Sequence, residues 1–328
     1  MVKSVTYRFD INTINKNNNM NTYNKKSLKS IIVKDFKKNR MIYLMALPVL
    51  AYYVIFHYGP MYGVIIAFKD FTPAKKILGS PWVGFQWFRD FFSSYYFERL
   101  LRNTLLINIL SLIFSFPAPI ILALLLNELR NEKFKKTVQT ISYLPHFISL
   151  VVICGMIVNF TSRNGIINDV IALFGGERTT MLLRPELFRP IYIISGIWQG
   201  VGWGSIIYLA ALSGIDIELY QAAIIDGANR WKQVWHVTLP GILPTIVILL
   251  IMRVGSLMSV GYEKIILLYN SSIYETADVI STFVYRKGLL EANYSYSSAV
   301  GLFNSVINFI LLIIANWFSR KVNETSLW

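Results

Sequence analysis

The chain has 328 residues, 54% of them hydrophobic and only 15% charged, with a mean hydropathy of +0.47, whereas a soluble domain carries about a quarter charged, so an ordinary water-soluble enzyme is excluded. Thirty-two Lys and Arg against 18 Asp and Glu leave a formal charge of +14. The excess lies outside the apolar segments, a distribution suited to anionic lipid and not to nucleic acid, which needs a soluble basic face.

Residues 1–40 begin with an Asn-rich stretch (Asn12, Asn15, Asn17, Asn18, Asn19, Asn21, Asn24) and end with seven basic residues (Lys25, Lys26, Lys29, Lys34, Lys37, Lys38, Arg40). With no apolar core of a cleaved signal, this composition predicts a disordered, basic cytoplasmic tail. Beyond it, six runs contain no Asp, Glu, Lys or Arg: 41–68, 103–127, 137–162, 190–215, 233–252 and 292–319. A hydrocarbon core needs about 20 apolar residues to cross, and these runs lack the alternation of barrel strands. Lipid offers backbone groups no partners, so the spans are expected to be helices. The predicted fold is all-α: an integral membrane bundle of about six transmembrane helices over residues 41–328. Basic residues before the first span and in the loop after the second (Arg130, Lys133, Lys135, Lys136) place both on the cytoplasmic side, and an even helix count puts both termini there.

The loop 69–102 is dense in aromatics: Trp82, Phe85, Trp87, Phe88, Phe91, Phe92, Tyr95, Tyr96 and Phe97. An interfacial helix with a belt of rings at the membrane surface is expected, a sugar-stacking platform being the alternative. Cys154, the single cysteine, rules out an intrachain disulfide and is expected to pack as a small hydrophobe.

In the fourth span Gly196, Gly200 and Gly204 recur every four residues, a small-residue stripe that lets helix backbones approach. Trp198 and Trp203 flank it and can pack, anchor or face a sugar. The fifth helix is expected from near Pro240 to about Tyr262, which puts Arg253 beyond its middle, where an unpaired Arg costs about 2.5–3.5 kcal/mol. Arg253 therefore faces a polar cavity or a partner, or else snorkels outward or pairs with Glu263. At helical spacing it shares a face with Ser256, Leu257 and Val260.

No GxxxxGK[ST], HExxH or paired-cysteine motif occurs, so nucleotide phosphates and metal ions find no site of those kinds. His57, His146 and His236 lie on separate segments, and the six runs hold no Asp or Glu with which to couple protons. Two rival classes are an ATP-independent carrier or channel and a membrane-embedded glycosyl- or acyltransferase, for which only Glu263, Asp278 and His146 are loosely eligible.

Between the fourth and fifth spans lies IDIELYQAAIIDGANRWKQVWHVTLPGILP. Asp216 is a plausible N-cap, Gly227 a breaker, and a second short helix is expected to end before Pro240. The interleaved small and apolar residues suit a protein partner or a membrane surface. The spacing of Gln221, Ala222, Ala223, Gly227, Val237, Leu239 and Pro240 resembles the EAA loop of permease subunits in binding-protein-dependent ABC importers. Gln221 stands where the family has Glu, and Val237 where it has Ile. Further runs, including GPMYGVIIAFKDF, LGSPWVGFQWF and ETADVISTFVYRKGL, resemble the polysaccharide and oligosaccharide type within that group, over residues 41–328.

The resemblance implies a type I permease fold and one half of a permease heterodimer. It implies a second homologous permease, two ATPase subunits that carry ATP and Mg, and an extracytoplasmic sugar-binding protein, with no cofactor or catalysis on this chain. Loop 215–240 would couple to the ATPase through Gln221, Ala222, Ala223, Asp226, Gly227, Ala228, Leu239 and Pro240. The solute path would include Gly200, Trp203, Arg253, Ser256, Leu257 and Val260. Specificity is then expected from stacking by Trp203 and charge-assisted bonds from Arg253 toward acidic sugars, the alternative being that the binding protein sets most of it.

Overall fold

A computed structural model of the protein describes residues 35–323 and 326–327; the tail expected over residues 1–34 lies outside them. Among the described residues, six helical stretches are long and apolar enough to cross a membrane: Arg40–Phe68, Phe97–Glu128, Leu150–Leu173, Pro185–Ser213, Arg230–Gly255 and Tyr294–Lys321. Among the described residues, the only strand-type pairing is a single antiparallel bridge between Lys69 and Trp82.

The chain divides after Tyr62 into two compact units. In the first, α1 (Arg40–Tyr53) runs through Pro48 into a π turn at Val54–Tyr58 ahead of Pro60, and none of its residues is buried. Asp35 accepts hydrogen bonds from Asn39 Nδ2, at 2.8 Å, and from the Tyr43 hydroxyl.

In the second unit, α2 (Gln86–Phe92) lies in the aromatic loop, followed by α3 (Phe97–Phe114) and α4 (Pro117–Glu128). The expected surface belt is only partly realised. Trp82, Phe85 and Tyr95 are exposed, but Phe91 is 1% exposed and packs with Leu100, Phe283, Tyr296 and Val300 in a core cluster.

The third span departs from the charge-free run 137–162. Asn131 caps α5 (Glu132–Tyr143) by accepting from the Lys133 and Phe134 amides. Pro145 and a second cap, Ser149, then break the chain before α6 (Leu150–Thr161) and α7 (Ile166–Leu173). A run defined by missing charge cannot register a proline, which ends one helix and lets a capped one begin.

The long α8 (Pro185–Ser213) is the centre of the unit. Its Tyr208 and Leu212 pack on Ile120 and Ala123 of α4, and its Phe188 joins Ile107, Ile153 and Cys154 in a second cluster, so Cys154 is a packed hydrophobe as expected. In lipid, apolar surface gains nothing by leaving water, and close approach and hydrogen bonds hold such helices together. Gly202 gives the closest approach: a Cβ there would lie 2.1 Å from the Ser142 carbonyl oxygen of α5.

After α8 come α9 (Ile217–Ile225), α10 (Arg230–Gln233) and α11 (Leu239–Gly255). The helix from Arg230 does not end before Pro240. A π turn over Val234–Thr238 joins α10 to α11, and the Thr238 hydroxyl donates to the Gln233 carbonyl across the widened turn. Nor does α11 reach Tyr262: it stops at Gly255, and a separate α12 (Tyr262–Leu268) follows. The unit closes with α13 (Ile280–Tyr285) and α14 (Tyr294–Asn323).

Candidate functional site: a loop groove and a polar-mouthed cavity

Two sites emerge, one at each end of the continuous helix Arg230–Gly255. At its start, Asp216 caps α9 by accepting from the Glu218 amide at 2.9 Å. The helix ends in a Schellman turn: the Ala228 amide donates to the Ala223 carbonyl at 2.8 Å and the Gly227 amide to the Ile224 carbonyl at 3.0 Å. Gly227 has φ +74°, a left-handed conformation that disfavours any side chain. Asn229 then caps α10 through the Lys232 amide, and Tyr220 hydrogen-bonds Thr238 at 3.0 Å.

The result is a groove of about 490 Å³ lined by Leu219, Ala222, Ala223, Asp226, Ala228, Lys232, His236 and Val237. Ala222, Ala223, Asp226 and Ala228 thus come together, with Gly227 making the turn between them. Gln221 is exposed outside the groove. Leu239 lies in a neighbouring apolar recess with Trp231 and Trp235, and Pro240 occupies the first turn of α11.

At the other end, α4, α8, α11 and the residues at their ends line an open cavity of about 640 Å³ whose wall includes Ser115, Gly196, Gly200, Gly204, Arg253 and Ser256. Gly204 sits close against Pro119, whereas a Cβ on Gly200 would meet open space. Of the six residues expected on a solute path, Gly200, Arg253 and Ser256 meet here. The shared helical face does not continue, because α11 ends between Arg253 and Ser256. Leu257 is half-buried beyond that end, and Val260 is buried in the core. Trp203 turns away: its ring stacks on His146 with centroids 4.5 Å apart and planes 2° from parallel. Arg253 is exposed in the last turn of α11, where a cation suits the helix dipole, and neither it nor Glu263 belongs to an ion pair among the described residues.

Two buried charges escaped sequence reasoning in their burial, although Asp278 is itself among the groups loosely eligible for the transferase class. Asp278 is buried and bound by Arg286, Arg99 and Thr282, which commits it to structure; its spacing of four to Thr282 and eight to Arg286 was the available signal. Lys264, in α12, is also buried, and nothing in its sequence neighbourhood announces that.

Residues 115–324 match the family of binding-protein-dependent transport system inner membrane components. The protein LplB of Bacillus subtilis is 46% identical over 89% of this chain and 92% of its own length. The polygalacturonan/rhamnogalacturonan transport system permease protein YteP of the same organism is 44% identical over 93% and 95%. A chain of a bacterial alginate ABC transporter, solved in complex with a periplasmic protein bound to alginate pentasaccharide, superposes with a TM-score of 0.83 at 45% identity, covering 90% of this chain and 99% of that one. The chain belongs to this family of inner membrane transport components. It is a multi-pass membrane permease subunit.

Proposed function

We propose that the chain is one permease half of an ATP-driven importer for acidic oligosaccharides. A second homologous permease completes the pathway, two ATPase subunits hold ATP and Mg, and an extracytoplasmic binding protein delivers the sugar. Both termini face the cytoplasm. The observation that carries this reading is the groove built on the Gly227 turn: small residues (Ala222, Ala223, Ala228) leave room for an inserted element, and Asp226, Lys232 and His236 offer it polar contacts.

Closure of the ATPases on ATP moves the groove as a rigid body, and the cavity at Arg253 opens alternately to either side. The charged residue in the cavity wall is a cation, Arg253, beside the hydroxyls of Ser115 and Ser256, which suits a carboxylated sugar. The names of the polygalacturonan and alginate transporters point to the same substrate class. The chain performs no bond chemistry; it lines a path and transmits work.

Tagging the chain in its native membrane, solubilising gently and identifying the co-purifying proteins by mass spectrometry tests the reading. Recovery of a second permease and a P-loop ATPase in fixed proportion is expected. Recovery of the chain alone, under conditions that keep other ABC complexes intact, overturns it.

A further inference from the structure

Lys264 is a buried ammonium with no carboxylate. It is 8% exposed, its Nζ donates to the Tyr192 carbonyl at 3.1 Å and stands 4.9 Å over the Tyr192 ring. The ion pairs among the described residues do not include it. One carbonyl and one ring face are a poor replacement for the water that burial removes. Burial accordingly pulls the ammonium down to about 8, against a smaller opposing effect of Cys154. An arriving anion would supply the missing partner.

The geometry shows where an anion can arrive. Tyr192 and Gly196 are one turn apart on α8 and share a face. The Lys264 Nζ lies 3.5 Å from the position a Cβ on Gly196 would occupy, and Gly196 is part of the cavity wall that also carries Arg253 and Ser256. Because residue 196 has no side chain, the ammonium stands at contact distance from a stretch of cavity wall that is bare backbone.

We propose that Lys264 is a specificity-determining residue which, with Arg253, receives the carboxylate of an acidic sugar unit in the cavity. The inference rests on the reading of this cavity as the solute path. Arg253 supplies a planar, exposed guanidinium at the cavity, and Lys264 a compact charge behind Gly196. A carboxylate has two oxygens with which to engage both, and a neutral sugar leaves the ammonium unpaired. Selection then operates by the cost of an unanswered buried charge as well as by attraction.

The test is equilibrium binding of trigalacturonate and of its methyl ester to the purified permease–ATPase complex. Lys264→Met is expected to weaken binding of the acid about tenfold or more, as expected for a lost charge-assisted hydrogen bond, and to leave the ester within about twofold. Equal losses on both ligands, or an unchanged affinity for the acid, overturn the inference while the importer reading stands. Should Lys264→Met fail to assemble, Gly196→Ala carries the test, since its Cβ makes only ordinary contact with Nζ. A reduced preference for the acid supports the inference, and an unaltered preference overturns it. A wild-type complex that binds neither ligand overturns the solute-path reading and this inference together.

Discussion

Asp278 takes both terminal nitrogens of Arg286, Nη1 at 2.8 Å and Nη2 at 2.7 Å, from a side chain with no solvent exposure. Arg99 adds a third bond at 3.3 Å, and Asn103 of α3 donates to the Asp278 backbone carbonyl while accepting from Arg189 of α8. The carboxylate thereby ties α3 to α13 through Arg99 and Thr282, and Asn103 extends the link to α8. Burial works against the Arg286 charge, but the bonds to Asp278 outweigh it and raise the guanidinium above its ordinary value.

Removing that carboxylate strands two guanidinium groups, so Asp278→Asn is expected to destabilise the fold by about 3 kcal/mol. Thermal unfolding of the detergent-solubilised complex measures it. A midpoint equal to wild type would show that the network is relaxed by water.

At Gly227 the left-handed backbone penalises any β-branched replacement by about 1–2 kcal/mol. Gly227→Val is expected to leave the spans inserted but to reshape the groove, with loss of ATPase binding in a pull-down and of transport. A variant that transports normally would dissociate the loop from coupling.

Gly200 and Gly202, two residues and about 3 Å of helix rise apart, should respond oppositely to the same change. Gly202→Ala drives a methyl group into the Ser142 carbonyl and is expected to cost about 1–3 kcal/mol. Gly200→Ala meets open space, so its thermal midpoint should not fall, while the bulk it adds to the cavity slows uptake. Paired melting and uptake measurements separate the two roles.

Arg253→Gln keeps a hydrogen-bonding side chain and removes the charge. Uptake of an acidic oligosaccharide by the reconstituted importer should then need a higher substrate concentration for half-maximal rate, by about tenfold, and should become less sensitive to added salt. Unchanged salt dependence would remove Arg253 from the path.

The six spans were legible because lipid forbids charge, and charge gaps need no knowledge of packing. The caps and turn of the loop were legible for a related reason: Asp216 and Gly227 act on their own neighbours. Breaks inside apolar sequence were not. Pro145 carries no charge to interrupt a run, and the end of α11 at Gly255 follows from contacts with α14, where Leu312 crowds that glycine and Asn308 accepts from the Met258 amide. The site was half legible. Gly200, Arg253 and Ser256 converge, but Trp203 finds His146 and Val260 finds the core, because side chains settle by tertiary neighbours that spacing along one helix cannot name.

The 26 residues from Arg230 to Gly255 form one unbroken helical path, about 39 Å long at 1.5 Å per residue. Lys232 and His236 stand in the groove at one end, and Arg253 stands in the cavity wall at the other. If a partner drives the groove, this helix would act as a single crankshaft carrying the push to the cavity, with the π turn at Val234–Thr238 as a joint near the groove end. Stroke and cargo grip would then be mechanically inseparable: stiffening or loosening that joint should alter how much of each stroke reaches Arg253 without touching either terminus of the shaft.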